Sequence, residues 1–295
     1  MPSFKNLDYI REKQPILIAG QTASGKSHLA IQIAEKQGGT IINADAIQVY
    51  NNWRILTARP SIEDETKIDH KLYGHINETM DYSVGNWIKE IKEVLSSNSR
   101  PIIVGGTGLY FSALTNGLVE IPKISKTIRI EAQNRITRKG FKSLVGEIDE
   151  ETAKKIDINN PMRVQRAWEV LKSTGRGLSS WHVETPKPTL ELNKCTAILV
   201  DGEVSLINSR ISKRFDQMIG QGLLQEAEHN LATWNNLNPS SKAIGAQELI
   251  SYLKNEISID QLRDEIITAT RQYAKRQRTW FRSRMKSWKN HIIKN

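Results

Sequence analysis

Cysteine is nearly absent from this chain: Cys195 stands alone among 295 residues. That excludes an intrachain disulfide and a zinc centre built from several thiolates. Cys195 lies beside an expected strand and reads as a small buried hydrophobe rather than a nucleophile. The histidines, His28, His70, His75, His182, His229 and His291, show no metal-type spacing. His28 is expected to be solvated or packed on its helix, while His70 and His75 are candidates for lining a groove. No apolar run approaches the roughly 18 residues that a membrane span needs. The opening 14 residues carry Lys5, Asp8, Arg11, Glu12 and Lys13 without an apolar core, so no secretory signal is read there. A soluble, cytoplasmic protein without membrane association is expected.

Acidic residues are missing from one long stretch. Residues 271–295 hold nine basic side chains, Arg271, Lys275, Arg276, Arg278, Arg282, Arg284, Lys286, Lys289 and Lys294, and no acid. The chain's net charge is +10, so without this segment only +1 remains. Such local basicity can face a polyanion. Tyr273, Trp280, Phe281 and Trp288 interleave with the cations, and Ala274, Phe281, Met285 and Trp288 recur at helical spacing. The pattern predicts a helix anchored on the body with a basic outer face.

The first half alternates short apolar runs with helical patterns. Strands are expected at 15–19, 40–44 and 102–104, and helices at 26–36 and 84–95. Strand–helix–strand repetition with apolar strands predicts an α/β fold around a parallel sheet covered on both faces. From residue 123 the pattern turns helical and polar, with helices at 129–139, 141–147, 150–156 and 163–171 and loops at 175–177 and 185–188. A further strand is expected at 197–200, then helices at 206–219, 223–233, 246–255 and 259–285. Residues 123–192 therefore read as a helical insertion. Residues 1–122 and 193–295 form the core with its C-terminal helices.

Gly20-Gln21-Thr22-Ala23-Ser24-Gly25-Lys26-Ser27 fits the phosphate-loop pattern G-x-x-x-x-G-K-[ST]. It follows an expected strand and opens an expected helix. Glycines let successive backbone N–H groups curl toward phosphate oxygens, and the helix N-terminus adds positive potential. Lys26 brings a point charge and Ser27 a hydroxyl able to bind Mg²⁺. A di- or triphosphate is expected here. Kinases, ATPases and switches share this loop, so it does not name the reaction.

Asp45 ends the second expected strand, at the sheet edge where ligands of open parallel sheets sit. It suits an Mg²⁺ partner or a general base for an acceptor. Gly105-Gly106-Thr107-Gly108 follows another strand, so its backbone can approach a ligand closely and Thr107 offers a hydroxyl there.

Together with residues 44–50, 57–60, 104–110, 160–170, 244–245 and 271–280, these motifs resemble the tRNA dimethylallyltransferase (tRNA isopentenyltransferase) family, in its order and over most of the chain. The resemblance implies transfer of a dimethylallyl group from dimethylallyl diphosphate to N6 of the adenine beside the anticodon, with Mg²⁺ as cofactor. It implies that Asp45 is the general base, that Gly20 to Ser27 cradle the diphosphate, and that Arg271 neutralises it. Asp45, Ala46, Ile47, Gln48 and Thr107 would contact the tRNA acceptor. Arg129, Met162, Arg163, Val164, Gln165 and Arg166 would add contacts to the anticodon stem-loop, with Lys275 and Arg278 on its backbone. A monomer is expected. A P-loop kinase of a small acceptor is the alternative, though it leaves the basic segment and the insertion idle. The sequence departs from the family at Gln21, where proline is usual, at Leu56 and Arg59 in Thr57-Ala-Arg-Pro60, and at Ala246 in place of an aromatic.

Overall fold

A computed structural model describes residues 13–97 and 99–293. The opening segment and Lys294, both read above from sequence, lie outside the described residues. The chain falls into two compact units, Met1–Thr115 with Thr189–Asn295, and Asn116–Pro188. The sequence pattern had put the excursion at 123–192. The chain returns earlier because Leu190 N–H donates to Leu114 C=O at 3.1 Å, before the strand at 196 begins.

The larger unit is α/β. It runs β1 (Ile16–Gly20), α1 (Lys26–Gln37), β2 (Thr40–Asn43), α2 (Ile62–Lys67), β3 (His70–Lys71), α3 (Val84–Leu95), β4 (Pro101–Gly105) and α4 (Gly108–Asn116). The smaller unit carries α5 (Lys126–Lys139), α6 (Glu150–Lys155), α7 (Pro161–Thr174) and α8 (Leu178–Val183). After it come β5 (Thr196–Gly202), α9 (Val204–Gly220), α10 (Leu223–Leu231), α11 (Ala246–Leu253), α12 (Ile259–Arg284) and β6 (Lys289–Ile293).

All six strands pair in parallel, in the order β3-β2-β4-β1-β5-β6. β1 lies centrally and every one of its residues is buried, as its unbroken apolar run requires of a strand covered on both faces. Ile18 stands level with Val104 on one side and Ile198 on the other. These strand ends therefore finish together, and the loops after β1, β2 and β4 share one edge. Trp87 from α3 locks β2 from one face, its buried indole N–H donating to Asn43 C=O at 2.7 Å. A capping box, Ser258 with Gln261, starts α12.

Two strands were not read from the sequence. β3 is only two residues long. β6 lies beyond the helix expected at 259–285, in a stretch where no strand was read. α12 ends at Arg284, and Lys289–Ile293 adds to β5, with Val200 level with His291. Trp288 is still buried, but edge-on against Phe111 with ring centroids 5.3 Å apart, not on a helical stripe. The edge of β5 offered backbone partners that outweighed local periodicity.

The smaller unit has its own core around Ile124, Ala132, Leu144, Val164 and Trp168. Trp168 donates its indole N–H to Glu147 at 2.8 Å, and Arg135 pairs with the same carboxylate at 2.7 Å. Those two bonds pull the Glu147 carboxyl down to about 2. α8 was not read from the sequence. No helix among the described residues is long and apolar enough to cross a membrane.

Candidate active site

The phosphate loop begins where β1 leaves the sheet. A side chain at Gly20 would stand 2.7 Å from Val200 C=O and from Ser24 Oγ, so the close strand contact admits only glycine. Gly25 holds a left-handed φ of 83° immediately before α1, and Ala23 accepts φ 61°. Ser24 is fully buried inside the curl, its N–H donating to Gln21 C=O at 3.2 Å.

A cavity of about 300 Å³ opens beside this loop. Thr22, Lys26, Ser27, Asp45, Arg214 and Gln277 line its polar end, and Leu56, Ile211, Phe215, Met218, Ile266 and Ile267 its apolar wall. Burial pushes the Lys26 amine down to about 8; Asp45 opposes that shift and Arg214 adds to it. Arg214 is itself lowered by burial and partly supported by Asp45, and its guanidinium donates to Thr22 Oγ1 at 3.3 Å. Two cations and one carboxylate thus share a small, partly dry space. Incoming negative charge relieves that imbalance.

Asp45 is held from below. Its N–H donates to Asn43 Oδ1 at 2.8 Å, and its Oδ1 accepts the Ile47 N–H at 3.1 Å. Ala46 N–H donates to Thr107 Oγ1 at 2.9 Å, so Thr107 ties the Asp45 turn to the glycine turn after β4. Ile47 and Gln48 also line the cavity, Gln48 Nε2 donating to Thr57 C=O at 2.8 Å. Across it, burial raises the hydroxyl of Tyr273, as it does that of Tyr73 outside the cavity lining, and the Asp45 charge adds to both shifts. A second, open cavity of about 1130 Å³ borders Gly25, Lys26 and Ser27 from outside and carries Arg54, Arg59, Arg210 and Lys213.

Arg271 is a correction. It does not line the cavity; it is exposed and donates to Ser212 Oγ at 3.1 Å. The α12 residues that do line it, Ile266, Ile267, Thr270, Tyr273, Arg276 and Gln277, share one face, and Arg271 sits roughly 100° round from Thr270. Arg214 takes the place by the phosphate loop expected of Arg271. It had a readable signal: it sits amid Ile211, Phe215 and Met218, and so is a cation on a buried stripe.

In the smaller unit, Met162 is 74% exposed and Arg163 is also exposed. Val164 is a second correction: it is 0% exposed within that unit's core and cannot offer its side chain to RNA. Gln165 donates to Glu169 at 2.8 Å, and Arg166 is exposed, its guanidinium lowered chiefly by partial desolvation near Glu169 and Arg129. On α12, Lys275 is exposed and Arg278 partly so.

Neither His70 nor His75 lines the cavity; His75 pairs with Glu90 at 2.8 Å and His70 lies on β3. Cys195 is only partly buried, and burial lifts its thiol to about 11, which disfavours a nucleophilic role. Among the described residues no group of three or more His, Cys, Asp or Glu side chains could hold a metal ion. The residues present fit Mg²⁺ in another way. Ser27 and Asp45 line the same cavity, and Mg²⁺ needs only one or two protein groups when substrate phosphates complete its shell.

The sequence profile of the IPP transferase family matches residues 48–284, and that of isopentenyl transferase residues 14–79. A tRNA dimethylallyltransferase of Cereibacter sphaeroides is 50% identical over 283 residues, 96% of this chain and 90% of that relative. Among solved structures, the tRNA isopentenylpyrophosphate transferase of Bacillus halodurans is 28% identical. It superposes with a TM-score of 0.66, covering 95% of this chain and 90% of that one. A eukaryotic dimethylallyltransferase acting on tRNA gives a TM-score of 0.75 at 27% identity, over 92% of this chain and 70% of its own.

Proposed function

The chain belongs to the IPP transferase family, and from that premise we propose that it transfers a dimethylallyl group from dimethylallyl diphosphate to N6 of the adenine beside the anticodon of tRNA. The observation that carries the reading is that Lys26 and Asp45 line one cavity, beyond the ends of β1 and β2, the two parallel strands that flank β4. One groups the donor's leaving diphosphate; the other faces the acceptor.

Adenine N6 is a weak nucleophile because its lone pair is delocalised into the ring. Attack on the allylic carbon therefore depends on help to the leaving group. Backbone N–H groups of the phosphate loop, Lys26 and Arg214 stabilise the charge that grows on the diphosphate. Ser27 would hold Mg²⁺, which would supply further positive charge at that end. The N6–carbon bond forms as the carbon–oxygen bond breaks, diphosphate departs, and Asp45 takes the amine proton. The apolar wall of Leu56, Phe215, Met218 and Ile266 accommodates the prenyl tail and keeps water from the allylic carbon.

Asp45 to Gln48 and Thr107 meet the acceptor base, turned out of its stack. Lys275 and Arg278 on α12 contact RNA phosphates, and Arg129, Met162, Arg163, Gln165 and Arg166 add contacts from α5 and α7. Every catalytic group lies in one chain, so a monomer suffices, and the substrate puts its work in the cytoplasm. A kinase reading is not favoured, since the relatives that match nearly the full length are named for dimethylallyl transfer.

The test incubates the protein with Mg²⁺, bulk tRNA and either labelled dimethylallyl diphosphate or γ-labelled ATP. Label from the prenyl donor appears in tRNA as a dimethylallylated adenosine on nucleoside analysis. Label passing from ATP to a small metabolite, with none entering tRNA, would refute the assignment.

A further inference from the structure

One buried amide on α12 touches both halves of the site. Gln277 is 6% exposed. Its Oε1 accepts the Thr22 N–H of the phosphate loop at 2.8 Å, and its Nε2 donates to Gly106 C=O, in the turn after β4, at 2.9 Å. A Cβ at Gly106 would lie 2.3 Å from that Nε2 and 3.2 Å from Asp45 Oδ2, so the amide, the glycine turn and the carboxylate are packed against one another. The amide's orientation is not free: only oxygen can face the N–H and only nitrogen the carbonyl.

The same helix grips both loops at flanking points. Trp280 covers Gly108, where a Cβ would stand 2.1 Å from the indole. Arg282 pairs with Asp201 at 3.0 Å, and Asp201 accepts from Gln21 Nε2 at 3.1 Å.

We propose that Gln277 is a positioning residue that sets the spacing between the phosphate loop and Asp45, and so between donor and acceptor. This rests on the reading that the diphosphate sits at the loop and the adenine at Asp45. Gln277 touches neither reacting atom in this account. It acts through the backbone of Thr22 and Gly106, and its loss lets the loops drift while each still binds its own substrate. Misplacing reactants by about 1 Å costs on the order of 100-fold in rate.

The variants are Gln277→Met, which keeps the bulk and loses both bonds, and Gln277→Glu. An ionised glutamate turns an oxygen onto the Gly106 carbonyl. A protonated one restores the pattern, its O–H donating to Gly106 and its carbonyl accepting from Thr22. Single-turnover transfer at saturating substrates is measured between about pH 5.5 and pH 8. Dissociation constants for isopentyl diphosphate and for tRNA are measured separately. The expected result is a transfer rate lowered roughly 100-fold in Gln277→Met with both dissociation constants within about threefold of the unaltered protein. The rate of Gln277→Glu relative to the unaltered protein should recover as pH falls, while that of Gln277→Met stays flat. The proposal is overturned by full transfer in Gln277→Met, by a rate loss matched by lost diphosphate affinity, or by a pH-flat ratio in Gln277→Glu. Failure of the unaltered protein to prenylate tRNA is a distinct result, and overturns the functional reading together with this one.

Discussion

Lys26 gives the site a pH dependence that can be worked out in advance. With no ligand bound, burial holds its amine at about 8, so it is mostly charged at pH 7 and mostly neutral at pH 9. An alkyl diphosphate restores a counter-charge and holds the proton through the alkaline range. Binding therefore requires the protonated amine, and affinity falls as pH rises through 8. From the titration of one such group, about 76% is charged at pH 7.5 and about 3% at pH 9.5, so affinity should drop about 25-fold across that range. Binding should also take up about 0.1 proton at pH 7 and about 0.9 at pH 9. Isopentyl diphosphate, which cannot react, suits calorimetry in buffers of different ionisation enthalpy. In Lys26→Arg the charge persists and the slope should vanish. An affinity change below about threefold, or the same slope in Lys26→Arg, would refute the argument. In the ligand-free protein the linkage runs the other way. The folded amine titrates below its ordinary 10.5, so between about pH 8 and 10.5 the unfolded chain binds more protons and stability rises with pH.

Asp45→Asn should lower turnover by about 100-fold or more, the span of general-base catalysis, with tRNA affinity unchanged in a filter-binding assay; unchanged turnover would exclude it as the base. Lys275→Ala or Arg278→Ala should weaken tRNA binding and make the slope of log affinity against log salt shallower by roughly one unit. If salt titrations of both variants overlay the parent, α12 is not part of the RNA interface. Gly105→Ala places a Cβ 2.0 Å from Ala44 C=O, where two backbones meet and neither can retreat. It should cost about 1–3 kcal/mol, seen as a Tm lower by several degrees.

What could be read beforehand was what local chemistry encodes. Gly20 to Ser27 announces itself because a short stretch must supply glycines, a lysine and a hydroxyl in fixed order. Asp45 follows from its place after an apolar strand. Arg214 and Arg271 show the limit. Both are arginines on helices, and which one meets the cavity depends on helix phase and on how α9 and α12 pack, not on the neighbouring motif. Val164 was assigned to RNA by its motif, although its spacing to Ala167 and Trp168 already marked a core stripe. β6 was hidden for another reason. Its residues hold little strand pattern, and pairing is decided by the exposed edge of a strand some ninety residues away. Gln277 stood within a quoted motif, but its bonds to Thr22 and Gly106 span 255 and 171 positions, a relation that no sequence window contains.

The bond between Leu190 and Leu114 has an evolutionary corollary. Where a chain departs and comes back at one spot, the parent sheet experiences only a short connection, whatever hangs beyond it. Residues 116–188 can accordingly lengthen, shrink or exchange surface side chains while the strands beside the phosphate loop keep their register. The smaller unit and the sheet are thereby free to diversify at different rates within a single gene product.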